Sequence, residues 1–347
     1  MPSSKEKPGE VELLRRIRQR AGLGPARADR TGTSQTRELR LGIGDDCAVL
    51  RPRAGEEIVV TTDLSLQGRH FRLDWHPPEA VGHRALARGL SDLAAMGARP
   101  VAAFLSLALP KELAQSRAES RGGKQSWADR FYDGLLRLAE ESKTPLAGGD
   151  LAEFPHVVAD VVLIGAVRQG RALLRSGARP GDDLYVTGTL GGAVAGLRAL
   201  EALGGKKPPA RLAEALKPHL YPQPRIAQGL WLARHTTATA AMDLSDGLSI
   251  DLARLCEESD VTAEVDADAL PVAQGASTED ALHGGEDYEL LFSARAGAKL
   301  PRRIAGIPIT KIGRITRKKA NHPQVALRTA TGSSALQPHG WQHFAHL

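Results

Sequence analysis

The chain has 347 residues, of which 42% are hydrophobic and 25% charged, ordinary values for a folded protein that exclude a disordered or fibrous one. At this length two domains are expected. The net charge of +6 raises nucleic acid as a partner, but the basic excess lies in LLRRIRQR, SRAESRGGK and RITRKKANH, with no interleaved aromatics on which bases could stack. It reads as solvated surface, with no nucleic-acid partner.

Residues 1–40 read as an N-terminal extension, a helix around LLRRIRQR followed by the polar loop GPARADRTGTSQTRE at 24–38. The opening segment lacks the apolar centre of a signal peptide, and no run of about 18 apolar residues follows anywhere. A cytoplasmic location and no membrane partner are therefore expected. EEIVVTTD at 56–63 predicts a short buried strand, 79–97 a helix, VAAFLSLALP at 101–110 a strand stopped by proline, and 114–126 a second polar loop. An amphipathic helix over 128–142, a strand with a glycine turn at PLAGGD (145–150) and a long strand at 156–167 complete a first domain over 41–168.

A second domain, 169–347, opens with a turn, a strand, a glycine-rich turn and a helix within 176–205. Residues 238–259 read as a short strand, a turn and a helix starting near Asp246 or Gly247. Strands and helices alternate throughout, so the fold class is α/β, or α+β, in two domains. Cys47 and Cys256 are far apart and outside any CxxC pattern; they indicate neither a disulfide framework nor zinc, and read as buried thiols.

Five probable element ends put aspartate beside glycine or a hydroxyl: GIGDDC, VVTTDL, GLSDLAAMG, LAGGDL and MDLSDGL. Such carboxylates, with Thr or Ser oxygens beside them, suit magnesium, which bridges protein carboxylates and substrate phosphates. Asp45 and Asp46 could thus belong to a magnesium nest. Taken singly, Asp92 and Asp246 could cap helices, and Asp150 could be a turn residue. The other GDD, at 181–183, follows a proline and precedes a strand, and reads as a surface turn. No GxxxxGK[ST] loop, complete GxGxxG pattern or GxSxG turn is present. His339, His343 and His346 lie in a tail that reads as exposed.

In this order, GIGDDCAVL, TTDLSLQGRHF, LSDLAAMGARP, AGGD, LLRSGARPGDDLYVTG, MDLSDGLSIDL, GGEDYELLF and GWQHF resemble the thiamine-monophosphate kinases, within the wider superfamily of aminoimidazole ribonucleotide synthetase. The likeness runs from about residue 41 to 344. It implies an ATP-dependent transfer of the γ-phosphoryl group onto the phosphate of thiamine monophosphate. It also implies magnesium ions at Asp46, Thr61, Thr62, Asp63, Asp92, Asp150, Asp243 and Asp246. Of these, Asp63, Asp92, Asp150 and Asp243 would act in catalysis through bound metal. ATP contacts are implied at Gly149, Asp150, Arg175 and Ser245, and thiamine monophosphate contacts at His70, Glu286 and Trp341. The implied fold is two α/β domains, with the sheet of the first pairing with its copy in a homodimer. The chain departs from the pattern at Leu151, where a hydroxyl residue is usual, at Arg69, and at Gln342 in the tail. Two other readings remain open, a superfamily enzyme with a different acceptor and a basic nucleic-acid-binding protein.

Overall fold

The computed structural model describes residues 10–21, 38–43, 46–115, 125–318 and 323–340. The chain divides into two compact units, Met1–Gly89 with Pro100–Ala166, and Leu90–Arg99 with Val167–Leu347. Most of the loop expected at 24–38, and residues 116–124 of the loop expected at 114–126, lie outside the described residues, as do Asp45, Trp341, Gln342, His343 and His346.

The first unit holds α1 (Glu10–Arg20), β1 (Leu39–Leu41), β2 (Val49–Leu50), β3 (Glu56–Leu66), α2 (Pro78–Ala95), β4 (Arg99–Leu109), α3 (Lys111–Ala114), α4 (Trp127–Glu141), β5 (Leu146–Glu153) and β6 (Val158–Arg168). The last turn of α2 and the link to β4 count with the second unit. Its four-stranded sheet has the order β3-β6-β4-β5. β4 and β5 run parallel, with Leu105 opposite Gly149 and Ser106 opposite Asp150. The β1–β2 pair is separate and packs Leu39, Ala48 and Leu50 against Val101, Ala147 and Ala166.

α4 begins with a capping box. Ser126 Oγ accepts from Asp129 N–H at 3.0 Å, and the Asp129 carboxylate accepts from the Ser126 N–H at 3.2 Å. Arg16 of α1 reaches the same carboxylate at 2.5 Å. α2 and α4 meet backbone to backbone at two glycines. A Cβ on Gly82 would stand 1.9 Å from the Phe131 carbonyl oxygen, and one on Gly134 would stand 1.9 Å from that of Glu79. Arg130 clamps the same crossing through a bidentate pair with Glu79, at 2.7 and 2.8 Å.

Three expectations for this unit need correction. β3 is neither short nor buried, because side chains alternate across a strand and only one face is covered. Ile58, Val60 and Leu64 on the other face are 42%, 58% and 50% exposed. The glycine turn expected at PLAGGD is absent, since β5 runs through it to Glu153 and the ladder to β4 satisfies the backbone that a turn would have freed. Cys47 is exposed, not buried; it sits in a bend just before β2 and outside the core.

The second unit holds β7 (Asp183–Thr187), α5 (Gly192–Leu203), α6 (Ala213–Leu220), α7 (Ile226–His235), β8 (Ala238–Asp243), α8 (Leu248–Glu258), β9 (Thr262–Asp266), α9 (Thr278–His283), β10 (Leu290–Ala294), β11 (Arg303–Ile304), β12 (Ile307–Thr316), β13 (Val325–Thr329) and β14 (Gly332–Ala335). Its sheet has the order β14-β13-β9-β12-β7-β10-β8, with β11 beside β12. Every pairing is antiparallel except β13 with β9. One core cluster packs Leu248, Leu252, Leu255 and Cys256 of α8 with Val186, Met242, Leu291 and Ile312. Burial there pushes the Cys256 thiol up to about 12. A second cluster joins Leu232 and Ala233 of α7 with Ala241, Leu290 and Phe292, and Tyr185 stacks on Phe292 at 5.3 Å.

The GDD at 181–183 is a turn, but its middle residue is structural. Asp182 is 4% exposed and accepts from the Arg179 N–H at 2.9 Å and from Thr239 Oγ1 at 2.6 Å.

Gly134→Ala gains about 1 kcal/mol of helix propensity but drives a methyl into the Glu79 carbonyl, an overpacking that typically costs about 1–3 kcal/mol. The expected net result is a lower urea midpoint for the first unit. An unchanged or raised midpoint would show that α2 and α4 are free to separate.

Candidate functional site

In the second unit the site is built around the link from β8 to α8. Asp243 ends β8, opposite Leu290 of β10. It is 3% exposed and its carboxylate accepts from Ser91 Oγ at 2.7 Å. Leu244, Ser245 and Asp246 then lead to Gly247, whose φ of 123° begins α8. The helix cap comes from inside the helix. Oδ2 of Asp251 accepts the N–H groups of Ser245, Asp246 and Gly247 at 3.1, 3.0 and 3.1 Å. Asp251 is wholly buried, and burial pushes its carboxyl up to about 6 against the pull of these N–H groups. Arg254 bridges Asp251 at 2.9 Å and Asp246 at 2.5 Å. Asp246, a candidate cap in the sequence, is therefore held from the side by Arg254. Asp92 lies inside α2, where its carbonyl accepts from the Met96 N–H, and is not at the start of that helix.

The acidic run at 286–289 is divided by its backbone. Asp287 points inward and accepts from the Gly191 and Ala193 N–H groups at 2.5 and 3.0 Å, which satisfies the start of α5. Burial pushes its carboxyl up to about 7, although those N–H groups pull it down; the charge of Glu289 adds to the rise. Glu289, 3% exposed, accepts from Thr187 Oγ1 at 2.6 Å and forms a bidentate pair with Arg225. Glu286 and Tyr288 take left-handed φ values of 66° and 51°, costly for side-chain-bearing residues and concentrated at functional sites. Glu286 donates its N–H to the Ser245 carbonyl at 2.8 Å, and its carboxylate lies 3.6 Å from the buried His219 Nδ1. The second unit thus gathers Asp243, Ser245, Asp246 and Glu286. Arg175 is exposed, and its carbonyl is bound by Ser259 Oγ past the far end of α8, about 16 Å of helix away from the 245–247 turn.

In the first unit, Thr61 and Asp63 share the covered face of β3. A Cβ on Gly89 of α2 would stand 3.3 Å from the Asp63 carboxylate and 3.4 Å from the Thr61 methyl, and Arg88 Nε lies 3.5 Å from Asp63 Oδ1. Thr62 lies on the opposite, open face. Gly149 has a φ of 148°, and a Cβ there would stand 1.9 Å from the Leu105 carbonyl oxygen, so only glycine fits. Asp150 beside it is exposed, with Oδ1 accepting from the Leu151 N–H at 2.8 Å. β3 and β5 are the two edges of the sheet. Three strand spacings of about 4.8 Å therefore separate the strand of Asp63 from that of Asp150. Asp46 is exposed in the bend before β2. His70 lies in the turn after β3 rather than on the strand, and its Nδ1 accepts from the Leu66 N–H at 2.9 Å. Trp341 lies outside the described residues.

Among the described residues, no group of three or more His, Cys, Asp or Glu side chains stands together as a complete metal cage. The donors are hard oxygens, arranged as one or two carboxylates with a neighbouring hydroxyl. That set fits magnesium, which completes its shell with water and substrate phosphate, and does not fit zinc. Asp251, Arg254, Asp287, Glu289, Arg225 and Ser91 carry the site without having been singled out in the sequence. The signal for Asp251 was in the DLSDGLSID stretch itself, an acid in the first turn of a helix whose preceding turn has free N–H groups.

Residues 44–167 match the model for AIR synthase related protein, N-terminal domain, and residues 179–325 match that for its C-terminal domain. The thiamine-monophosphate kinase of Escherichia coli (strain K12) is 38% identical over 300 residues, 83% of this chain and 87% of that one. Among solved structures, the thiamine-monophosphate kinase from Stenotrophomonas maltophilia K279a superposes with a TM-score of 0.73 at 36% identity, covering 93% of this chain and 96% of that one. AaThiL complexed with AMPPCP and TMP superposes with a TM-score of 0.71 at 32% identity, covering 85% and 89%. Fold and paired domain models define a two-domain protein of the AIR synthase related class. Within that class, the chain belongs to the thiamine-monophosphate kinase family.

Asp287 yields a pH prediction. Its folded pKa lies above the unfolded value, so its contribution to stability is full below about pH 4 and is lost as pH rises through about 7. Asp287→Asn removes this titration. The stability gap between the parent chain and the variant should therefore be wider at pH 5 than at pH 7.5, by on the order of 2 kcal/mol in urea unfolding; an equal gap would mean that the buried carboxyl is charged at both.

Proposed function

We propose that the chain transfers the γ-phosphoryl group of ATP in line onto the phosphate of thiamine monophosphate, giving thiamine diphosphate and ADP. The observation that carries this reading is the span of the relationship, 300 aligned residues at 38% identity to a thiamine-monophosphate kinase. A structural neighbour that holds an ATP analogue together with TMP supports it. The acceptor phosphate is already ionised, so the reaction needs no strong base; it needs two anions brought together in line. Magnesium, when bound, would neutralise phosphate oxygens there.

The residues divide by task. Asp46, Thr61, Thr62, Asp63 and Asp150 in the first unit, and Asp92, Asp243 and Asp246 in the second, are the proposed magnesium ligands. Asp63, Asp92, Asp150 and Asp243 serve catalysis through the bound ions. Arg88 and Arg254 hold the Asp63 and Asp246 carboxylates in place until a cation competes for them. Gly149 lets backbone approach the nucleotide closely, with Asp150, Ser245 and Arg175 as further ATP contacts. His70, Glu286 and Trp341 are the proposed contacts to thiamine monophosphate, and Asp287 and Glu289 fix the strained backbone that presents Glu286.

We also propose a cytoplasmic homodimer. Among the described residues no helix is long and apolar enough to cross a membrane. The open face of β3, with Ile58, Val60 and Leu64 on an edge strand, is an apolar patch of the kind that marks an interface. Val60→Asp should halve the mass seen by light scattering; an unchanged mass would move the interface elsewhere.

The enzymatic reading is tested by following thiamine diphosphate by chromatography in reactions holding ATP, Mg²⁺ and thiamine monophosphate. EDTA should abolish product. Asp63→Asn, which removes a ligand charge at nearly constant volume, should lower turnover at least about 100-fold with an unchanged circular dichroism spectrum. Full activity in that variant would remove Asp63 from the metal site.

A further inference from the structure

We infer that Ser91 is a positioning residue for the cation site at Asp243, setting the orientation in which that carboxylate meets a divalent ion. Ser91 lies near the end of α2, in the stretch that counts with the second unit, and is wholly buried. A serine inside a helix commonly returns its hydroxyl to a carbonyl of the preceding turn. Here Oγ donates instead to Asp243 Oδ2 at 2.7 Å, across 152 positions of sequence. Asp243 is itself 3% exposed, so protein groups and not bulk water orient its carboxylate. The bond is compatible with a metal, because a carboxylate offers about four lone-pair sites and Oδ2 can keep the hydroxyl proton while the group takes a cation. Metal-binding carboxylates are commonly held by such a donated hydrogen bond, which fixes their orientation.

Other contacts already set the backbone on both sides of the bond. Asp243 pairs with Leu290 across the sheet, and the Leu244 N–H goes to the Glu289 carbonyl at 2.8 Å. The end of α2 is docked without the serine, since Ala94 and Ala95 pack with Leu232, Ala241 and Leu290. A Cβ on Gly229 of α7 would stand 1.9 Å from the Ala94 carbonyl oxygen, so helix and helix meet there backbone to backbone. What remains for the Ser91 hydroxyl to set is the rotation of the Asp243 side chain. The chain neighbour of Ser91 is Asp92, so the same bond ties the helix segment of one proposed magnesium ligand to the strand end of another. This inference rests on the reading above, in which Asp243 is a magnesium ligand.

The test is Mn²⁺ binding by the full chain with a non-hydrolysable ATP analogue present, followed as loss of the free-ion electron paramagnetic resonance signal. Ser91→Ala, which removes the hydroxyl at nearly constant volume, should raise the Kd for Mn²⁺ about tenfold, the lower end of the loss that follows when a ligand's hydrogen-bond partner is removed. Ser91→Cys, of similar volume with only a weak S–H donor, should raise it in the same direction and serves if the alanine variant does not fold. Asp243→Ala and the double variant complete a cycle: in the Asp243→Ala background, Ser91→Ala should change the Kd by less than about twofold, because the effect passes through Asp243. An unchanged Kd in the Ser91 variants overturns the inference. So does an equal rise in both backgrounds, the mark of a structural effect that bypasses Asp243. A parent chain that binds no Mn²⁺ overturns the metal reading and the inference together; a parent that binds Mn²⁺ but makes no thiamine diphosphate sinks the kinase reading alone, and the cycle still decides the role of Ser91.

Discussion

A wholly buried carboxylate facing three backbone N–H groups organises the candidate site in the second unit. Asp251 satisfies the donors of Ser245, Asp246 and Gly247 at once, and without it the buried N–H of Gly247 would lose this acceptor, a cost of about 1–3 kcal/mol, along with the part-buried N–H groups of Ser245 and Asp246. Asp243 behind the turn, Asp246 within it and Glu286 bonded to its carbonyl all take their positions from that one interaction. A helix start normally receives its cap from the residue before it. Here the acceptor comes from within the helix, which leaves Asp246 free of capping and bound only sideways by Arg254.

The same separation of tasks recurs through the second unit. Asp182 and Glu289, which are buried, and Asp287, which is half-buried, satisfy backbone N–H groups, hydroxyls or a guanidinium. Their charge is internally balanced, and they give shape to turns that would otherwise be loose. Asp246 and Glu286 in the second unit are half-buried, and Asp46 and Asp150 in the first are exposed. A chain so rich in acidic turns would repel polyphosphate if all its carboxylates faced outward. Burying one set as anchors lets the other set be placed where cations can offset it.

The sequence already showed the element types, because hydrophobic spacing at 79–97 and 128–142 is helical and the runs at 101–110 and 156–167 are strand-like. It misread three features for identifiable reasons. β3 looked buried because IVV lies at the centre of EEIVVTTD, but alternation puts Ile58 and Val60 on an open face, and which face is covered depends on elements elsewhere in the fold. PLAGGD looked like a turn because two glycines usually break a strand, whereas Gly149 is needed for close approach to Leu105 within a parallel ladder. Cys47 looked buried by residue type alone. For the site, the aspartates were visible as a recurring style of element end. Which of them anchor and which stay open depends on where backbone N–H groups are left without partners, and that is set by tertiary packing. Asp287 was in plain view within its segment and carried no distinguishing spacing.

The most direct measurement follows the γ-phosphoryl group itself. With ATP labelled at the γ position, Mg²⁺ and the full chain, offered thiamine monophosphate or thiamine in separate reactions, label should appear in the terminal phosphate of thiamine diphosphate, one per ADP formed, and only with the monophosphate. Label released as free phosphate alone, or transferred to unphosphorylated thiamine, would overturn the proposed phosphate acceptor.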